Sequence, residues 1–314
     1  MRLQSRRSLL VTVGLAGCGG PSQAKIGVIV KAVGHLFFAA VHAGVKRAAK
    51  EYGIEAFWNG PTDETDSPRQ IQILDSMIAQ RVSAIAISAC DERALAAPVK
   101  RAIDQGIPVT VFDSAVEGSG FVTFVATDNF KAGCDAAREL AKMIGEKGKV
   151  GVVMHKPGGA STSQRERGFQ ETIAKEFPNV TVAASQYGMA DRAKARAAAE
   201  NMMTAHPDLA GIFASSEASS LGAIQAIATR GLSGKLRLIT FDTSEAHREA
   251  LRGGTIDVMM VQDSARIGYE AVKSLAEKLR GGTPVARIDL PVRQIRKADL
   301  DKPEIAELIS PPTQ

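Results

Sequence analysis

The sequence is poor in the features that announce a catalyst. It has no Walker loop, no nucleophile elbow and no zinc-protease helix. Its five histidines, His35, His42, His155, His206 and His247, fall without metal-ligand spacing. His35 and His42 are the nearest pair and could share a helix face, where a core or surface role is the simpler assignment. Nothing calls for a metal or an organic cofactor, and no residue is given a catalytic role. Aromatics amount to only 5%, with Trp58 the single tryptophan. A dominant charge is missing too. The formal charge is +5, but Arg2, Arg6 and Arg7 lie in the first seven residues, and without them 36 basic side chains face 34 acidic ones. That balance removes the electrostatic case for nucleic acid. What is present suits a globular chain: 314 residues, 45% apolar and 23% charged, enough for one large core or two ordinary ones.

The three early arginines belong to a leader. A basic segment through Arg7 precedes a short apolar run, Ser8 to Gly17, and residues 1–17 read as a signal peptide. Ten residues are too few for a spanning helix, which needs about 20. The run ends Leu15-Ala16-Gly17-Cys18, similar to the bacterial lipobox, so Cys18 is the candidate lipidation site and residues 18–24 a linker. Ser5-Arg6-Arg7 leaves twin-arginine export open beside the general route. The remaining cysteines, Cys90 and Cys134, are assigned to βα units of the same lobe and read as buried free thiols, although an exported protein could pair them.

Beyond the linker, short apolar runs alternate with helical patterns. The strand-like runs are 26–30, 55–58, 84–88, 109–112 and 121–125, then 150–154, 180–185, 211–214, 236–241 and 258–261. Most are continuously apolar, as in parallel sheets covered on both faces. Helical patterns such as 38–52, 67–80, 94–105 and 219–230 lie between them, and several stop at a glycine (Gly53, Gly106, Gly231) suited to a C-cap. The alternation predicts a doubly wound α/β protein.

An internal repeat divides it. Val82 to Ile87, a helix through Ile103 and Gly106 to Asp113 form one unit. Leu209 to Ala214, a helix through Ala228 and Leu236 to Asp242 form another, and both finish on Phe-Asp at the carboxyl end of a strand. In open α/β sheets that end faces the ligand crevice. Two similar lobes would therefore turn Asp113 and Asp242 into a shared cleft, unless each aspartate merely caps the turn that follows. Gly158-Gly159 before Ser161-Thr162-Ser163 could form an anion-binding helix N-terminus or an ordinary Ser/Thr cap.

In order and spacing, a longer series of motifs carries a family resemblance: Lys25-Ile-Gly-Val-Ile-Val, His35-Leu-Phe-Phe38, Phe112-Asp113, Thr127-Asp128-Asn129, Arg165-Glu-Arg-Gly-Phe169, Thr204-Ala-His-Pro-Asp208, Phe241-Asp242 and Val261-Gln262. From Lys25 to about Ile295 the chain resembles the type I periplasmic binding proteins, specifically the ribose-binding-like sugar receptors of ABC importers. The resemblance implies two doubly wound parallel-sheet lobes joined by a three-crossover hinge. The first lobe would span 25–127 and 263–289, the second 128–262 and 290–314.

It also implies a ligand set. Asp113 and Arg165 match positions that hydrogen-bond sugar hydroxyls from opposite lobes, Asp242 and Gln262 match two further polar positions, and Phe37 and Phe38 match the aromatic platform. Because the two phenylalanines are adjacent, one is expected in the core, and Phe38 is favoured as the ligand-facing ring. Asp128 reads as a hinge or cap residue. Where ribose receptors carry asparagine in the first loop this chain has His35, and Lys31 replaces a small polar residue nearby. Ser88 and Ser216 stand where the family has asparagines, Ser114 replaces an arginine, Met189-Ala190 an aromatic, and Glu217 is new. Lys31, His35 and Glu217 could read a different polyol, or an acidic or phosphorylated group. The implied protein is a monomeric, non-enzymatic receptor, lipid-anchored in the cell envelope, that delivers a sugar or polyol to an ABC permease. The alternatives are a sensing receptor of the same fold, for chemotaxis, a sensor kinase or a quorum signal, and a hydrolase acting on polyols.

Overall fold

The computed structural model describes residues 23–309; the leader, Cys18 and most of the linker lie outside the described residues, as does the stretch after Ile309. The first lobe opens with β1 (Lys25–Ile29), α1 (Leu36–Tyr52), β2 (Glu55–Asn59), α2 (Ser67–Ala79), β3 (Ala84–Ile87), α3 (Ala96–Asp104), β4 (Val109–Phe112) and β5 (Thr123–Thr127). The second holds α4 (Asn129–Met143), β6 (Gly148–Met154), α5 (Ala160–Glu176), β7 (Val180–Tyr187), α6 (Arg192–Ala205), β8 (Leu209–Ala214), α7 (Glu217–Thr229), β9 (Arg237–Phe241), α8 (Glu245–Arg252) and β10 (Val258–Val261). Then α9 (Ser264–Leu279) and β11 (Arg287–Leu290) return to the first lobe, and β12 (Arg293–Ile295) and α10 (Pro303–Ile309) to the second.

The strand orders are β2-β1-β3-β4-β5-β11 and β7-β6-β8-β9-β10-β12. Every pairing is parallel except β12 against β10. The inner strands explain the unbroken apolar runs: β3, β4 and β10 are buried at every residue because helices cover both faces. The edge strand β2 alternates instead, leaving Glu55, Phe57 and Asn59 exposed. Each lobe has two apolar layers, one on either side of its sheet.

Three features differ from the sequence reading. The strand expected at 121–125 begins at Thr123 and runs to Thr127, because its register is set by β4 (Thr110 opposite Thr123) and by β11 (Leu290 opposite Thr127). That pairing also keeps Leu290 in the first sheet, so the third crossing falls between Leu290 and Arg293 rather than before Leu290. Cys90 follows β3 in the first lobe while Cys134 lies in α4 of the second; both are buried and free, in different lobes rather than one.

Matched glycines set the helix packing. A Cβ on Gly44 of α1 would collide with the Ala265 carbonyl of α9, and one on Gly268 with the Val41 carbonyl. In the second lobe Gly133 of α4 meets the Arg165 carbonyl and Gly168 of α5 the Phe130 carbonyl in the same way. Each lobe thus has a backbone-to-backbone helix contact that no side chain fits, and the second lobe adds another where Gly222 of α7 meets the Arg196 backbone of α6.

Candidate functional site

Both sheets turn their carboxyl ends toward one cleft, as the crevice rule for open α/β sheets requires. From the first lobe, Lys31 follows β1, His35 immediately precedes α1, Glu64 sits between β2 and α2, and Asp113 follows β4. From the second, His155 follows β6, Arg165 is on α5, Ser216 precedes α7 with Glu217 as its first residue, Asp242 follows β9 and Gln262 follows β10. All line one cavity, together with Phe37, Phe38, Ser161 and Thr162. The repeat-end aspartates take the same unusual backbone: φ is 57° at Asp113 and 69° at Asp242, a left-handed conformation that aspartate tolerates better than most residues. Both repeat units therefore swing a carboxylate off the strand end in the same manner.

In the first lobe the Lys31 Nζ lies 3.2 Å from Asp113 Oδ2 and 3.8 Å from Glu64 Oε2. Ser88 Oγ donates to Asp113 Oδ2 at 2.8 Å, and His35 Nδ1 is 3.0 Å from Glu64 Oε1. Burial opposes the charge on Lys31, but Asp113 and Glu64 outweigh it and its pKa ends above the usual value. Burial likewise opposes ionisation of Glu64, yet Lys31 and the two histidines hold its carboxyl well below the ordinary range.

In the second lobe Arg165 is 98% buried; its Nε donates to Asn129 Oδ1 at 2.7 Å, one terminal nitrogen donates to the Ser215 carbonyl at 3.0 Å, and its guanidinium lies 3.9 Å from the centre of the Phe241 ring. Gln262 Nε2 donates to Asp242 Oδ1 at 2.6 Å, and its own Oε1 accepts from Thr127 at 2.7 Å. The Glu217 backbone N–H donates to Asp242 Oδ2 at 3.1 Å. Burial raises the pKa of Asp242 despite the opposing pull of Arg165, and burial raises that of Glu217.

Direct bonds cross the cleft. His155 Nε2 is 2.8 Å from Glu64 Oε2, and its Nδ1 is 2.8 Å from Ser216 Oγ. An ionised carboxylate can only accept, so Nε2 carries the hydrogen and Nδ1 accepts from the serine. Burial outweighs Glu64 and lowers the His155 pKa, which keeps the ring neutral. The α1 N-terminus has no side-chain cap of its own; Glu217 Oε2 supplies one from the opposite lobe, accepting from the Phe37 N–H at 3.1 Å. Lys156 Nζ adds a bond to the Cys90 carbonyl at 2.7 Å.

The residues singled out from sequence thus fall as follows. Lys31, His35, Phe37, Phe38, Asp113, Arg165, Ser216, Asp242 and Gln262 face the cavity. Ser88 does not; it is fully buried behind Asp113 and orients that carboxylate. Phe37 and Phe38 both line the cavity, rings edge-to-face with centroids 5.0 Å apart, and both also pack in the first lobe's core, Phe38 the more deeply. They occupy the first turn of α1, whose end points at the cleft, so consecutive side chains can both reach it. Asp128 caps α4 through the Lys131 N–H, and His42 stacks on Trp58 at 4.3 Å, away from the cleft. Glu64 and His155 were missed as site residues. Each follows a strand at its carboxyl end, which was the available signal, but 91 residues separate the pair.

A two-lobed α/β molecule with a polar cleft between the carboxyl ends of its sheets is built to close on a small molecule. The periplasmic binding protein domain matches residues 26–283, and the chain belongs to that family, whose place is the periplasm. Among the described residues no helix is long and apolar enough to cross a membrane. The chain is 29% identical over 302 residues to a D-ribose/D-allose-binding protein of Pseudomonas aeruginosa, covering 90% of this chain and 94% of that one. It is 27% identical to a ribose import binding protein of Bacillus subtilis, covering 88% of each. Among solved structures, a carbohydrate transporter solute-binding protein from Agrobacterium radiobacter in complex with D-arabinose superposes with a TM-score of 0.89 at 31% identity, covering 93% of this chain and all of that one. An ABC transporter solute-binding protein from Agrobacterium vitis bound with α-D-tagatopyranose gives 0.88 at 33%, covering 91% and 99%.

Proposed function

We propose that the protein captures an uncharged sugar or polyol between its lobes and delivers it to the permease of an ABC importer. The observation that carries this reading is the pairing of Asp113 and Arg165 from opposite lobes in one buried cavity, with Phe37 and Phe38 beside them. Carboxylate, guanidinium and the Gln262 amide match the paired donors and acceptors of vicinal hydroxyls, and aromatic faces suit the C–H side of a sugar ring. A hydrogen bond to a charged group contributes about 1.5–3 kcal/mol. Four or five of these, less ordering costs, reach the roughly −8 kcal/mol of micromolar binding. Four carboxyl groups (Glu64, Asp113, Glu217, Asp242) face two permanent cations (Lys31, Arg165), which argues against the acidic or phosphorylated ligand that Lys31 and His35 alone would suggest. The free volume at the centre is only about 30 Å³, so a ligand ring takes over bonds that the lobes now make to each other.

In this reading the three crossings between sheets form the hinge, and closure is stabilised by ligand contacts from both lobes. One chain supplies both cleft walls, so a monomer suffices. No chemical step is involved, and sugars incubated with the protein should be recovered unchanged; release of a product would overturn that point. Cys18 holds the protein to the membrane through lipid, and Cys18→Ala should release it into the soluble fraction. Continued membrane association would refute the anchor. The central test is a thermal-shift screen of pentoses, hexoses and polyols, backed by mass spectrometry of any co-purifying small molecule. Asp113→Ala and Arg165→Ala should each abolish the ligand-induced shift while the unliganded protein still melts cooperatively. A preserved shift in both would sink the assigned cleft.

A further inference from the structure

Beside the cramped centre of the cleft lies a chamber of about 260 Å³ whose walls come from both lobes. Asp113 and Ser161 line both this chamber and the central cavity. Ser161 is 97% buried, and its Oγ has no hydrogen-bond partner among the described residues. A buried hydroxyl left unpaired is costly, and its placement in the lining of both cavities calls for a polar ligand atom there. Ser161 is also in the first turn of α5, where the cap residue Gly159 offers no side-chain oxygen and the Ser161 N–H reaches only Ser114 Oγ at 3.5 Å. That end of the helix is therefore poorly satisfied on the same side.

The chamber's lining is of the kind that binds hydroxyls. Glu92 contributes a carboxylate with no ion pair or hydrogen bond among the described residues, Gln164 an amide whose oxygen accepts from Arg167, and Phe124 and Phe130 partly exposed rings that lie beside the guanidinium groups of Arg287 and Arg167. Asn129 and Thr127, also in its wall, are the residues that orient Arg165 and Gln262 in the main site, so the two spaces share a scaffold. A second chamber of similar size borders the central cavity at Phe37, Asp242 and Gln262 and mixes apolar residues such as Leu36, Val261 and Leu308 with polar ones such as Ser244, Glu245 and Arg248, but among the described residues it presents no unpaired buried polar atom.

We propose that the ligand is a disaccharide or comparable polar glycoside, one ring held by Asp113 and Arg165 and the second unit in the chamber beside α5, with Ser161 donating to the oxygen that links them. This rests on reading the cleft as a sugar site and specifies which sugars it takes. The test pairs monosaccharides with disaccharides built from them, measured by titration calorimetry on the intact protein, wild type and Ala115→Phe. Ala115 borders the chamber but not the central cavity, so the substitution fills the one and spares the other. A disaccharide should bind the wild type at least tenfold more tightly than its component monosaccharide, Ala115→Phe should erase that advantage while retaining the monosaccharide, and Ser161→Ala should weaken the disaccharide severalfold. Monosaccharide binding with no disaccharide preference, or a preference that survives Ala115→Phe, overturns this proposal and leaves the sugar-receptor reading standing. Absence of binding by every sugar overturns both.

Discussion

Lobe 1 brings α1 against α9 at Gly44 and Gly268, lobe 2 brings α4 against α5 at Gly133 and Gly168, and both turn an aspartate out of a strand end with positive φ. The frames match except at the last strand, parallel in lobe 1 and antiparallel in lobe 2. Their cleft walls do not match. Lobe 1 presents a cluster held by ion pairs, Lys31 with Asp113 and Glu64, and it leaves the N-terminus of α1 uncapped from within. Lobe 2 presents groups mounted on helix ends and strand ends, and it supplies both the Glu217 cap for α1 and the His155 partner for Glu64. The two frames share what packing demands, while their polar faces form complementary halves.

The comparison can be broken most sharply at the glycines. Gly44→Ala and Gly133→Ala should each cost about 3 kcal/mol from forced backbone shifts, a fall in Tm of roughly 10 °C for lobes of this size. Differential scanning calorimetry reads both, and a large drop in only one variant would show that the two helix contacts are not equivalent. Next come the aspartates. Asp113→Asn should weaken sugar binding more than Asp242→Asn, because it also strips Lys31 of its nearest partner, whereas Asp242 mainly loses bonds from neutral donors. Titration calorimetry giving the reverse order would contradict the assignment. Glu64→Ala should loosen the closed state, since it removes the carboxylate that accepts from the neutral His155 ring across the cleft; small-angle scattering of the unliganded protein should show a larger radius of gyration. An unchanged radius would mean that this bond does not hold the lobes together.

The smallest effect is on pH dependence and is confined to lobe 2. Glu166 is buried beside Arg165, accepting from the His155 N–H and Ser215 Oγ, and burial pushes its carboxyl up to about 7. Its folded pKa lies above the unfolded value, so its stabilising contribution is present in acid and is lost as pH rises through about 7. Glu166→Gln should therefore flatten the decline in Tm between pH 5 and pH 8, read on parallel melts. An identical slope in both proteins would remove Glu166 as its source.

Much of this was legible in the linear chain. Continuous apolar runs identified the buried parallel strands, the glycines after Tyr52, Gln105 and Arg230 marked helix ends with positive φ, and the repeated Phe-Asp marked the cleft. The short strands β11 and β12 were not seen, because Arg287–Leu290 and Arg293–Ile295 carry too few apolar residues to stand out and become strands only by pairing with β5 and β10. Local chemistry also could not say that Phe37 and Phe38 would both reach the cavity, since that depends on the direction in which α1 enters the cleft.

Family resemblance contributed Arg165 and Gln262, while the sequence by itself determined the layered α/β frame, the twofold repeat and Asp113 and Asp242 at strand ends facing a crevice. These follow from periodicity and local propensity, which act over a few residues. Only the tertiary structure decided that Glu64 would meet His155, that Glu217 would cap a helix of the other lobe, and that Ser161 would stand unpaired between two cavities. Such contacts join residues scores of positions apart and exist only when two lobes close, so no local pattern encodes them.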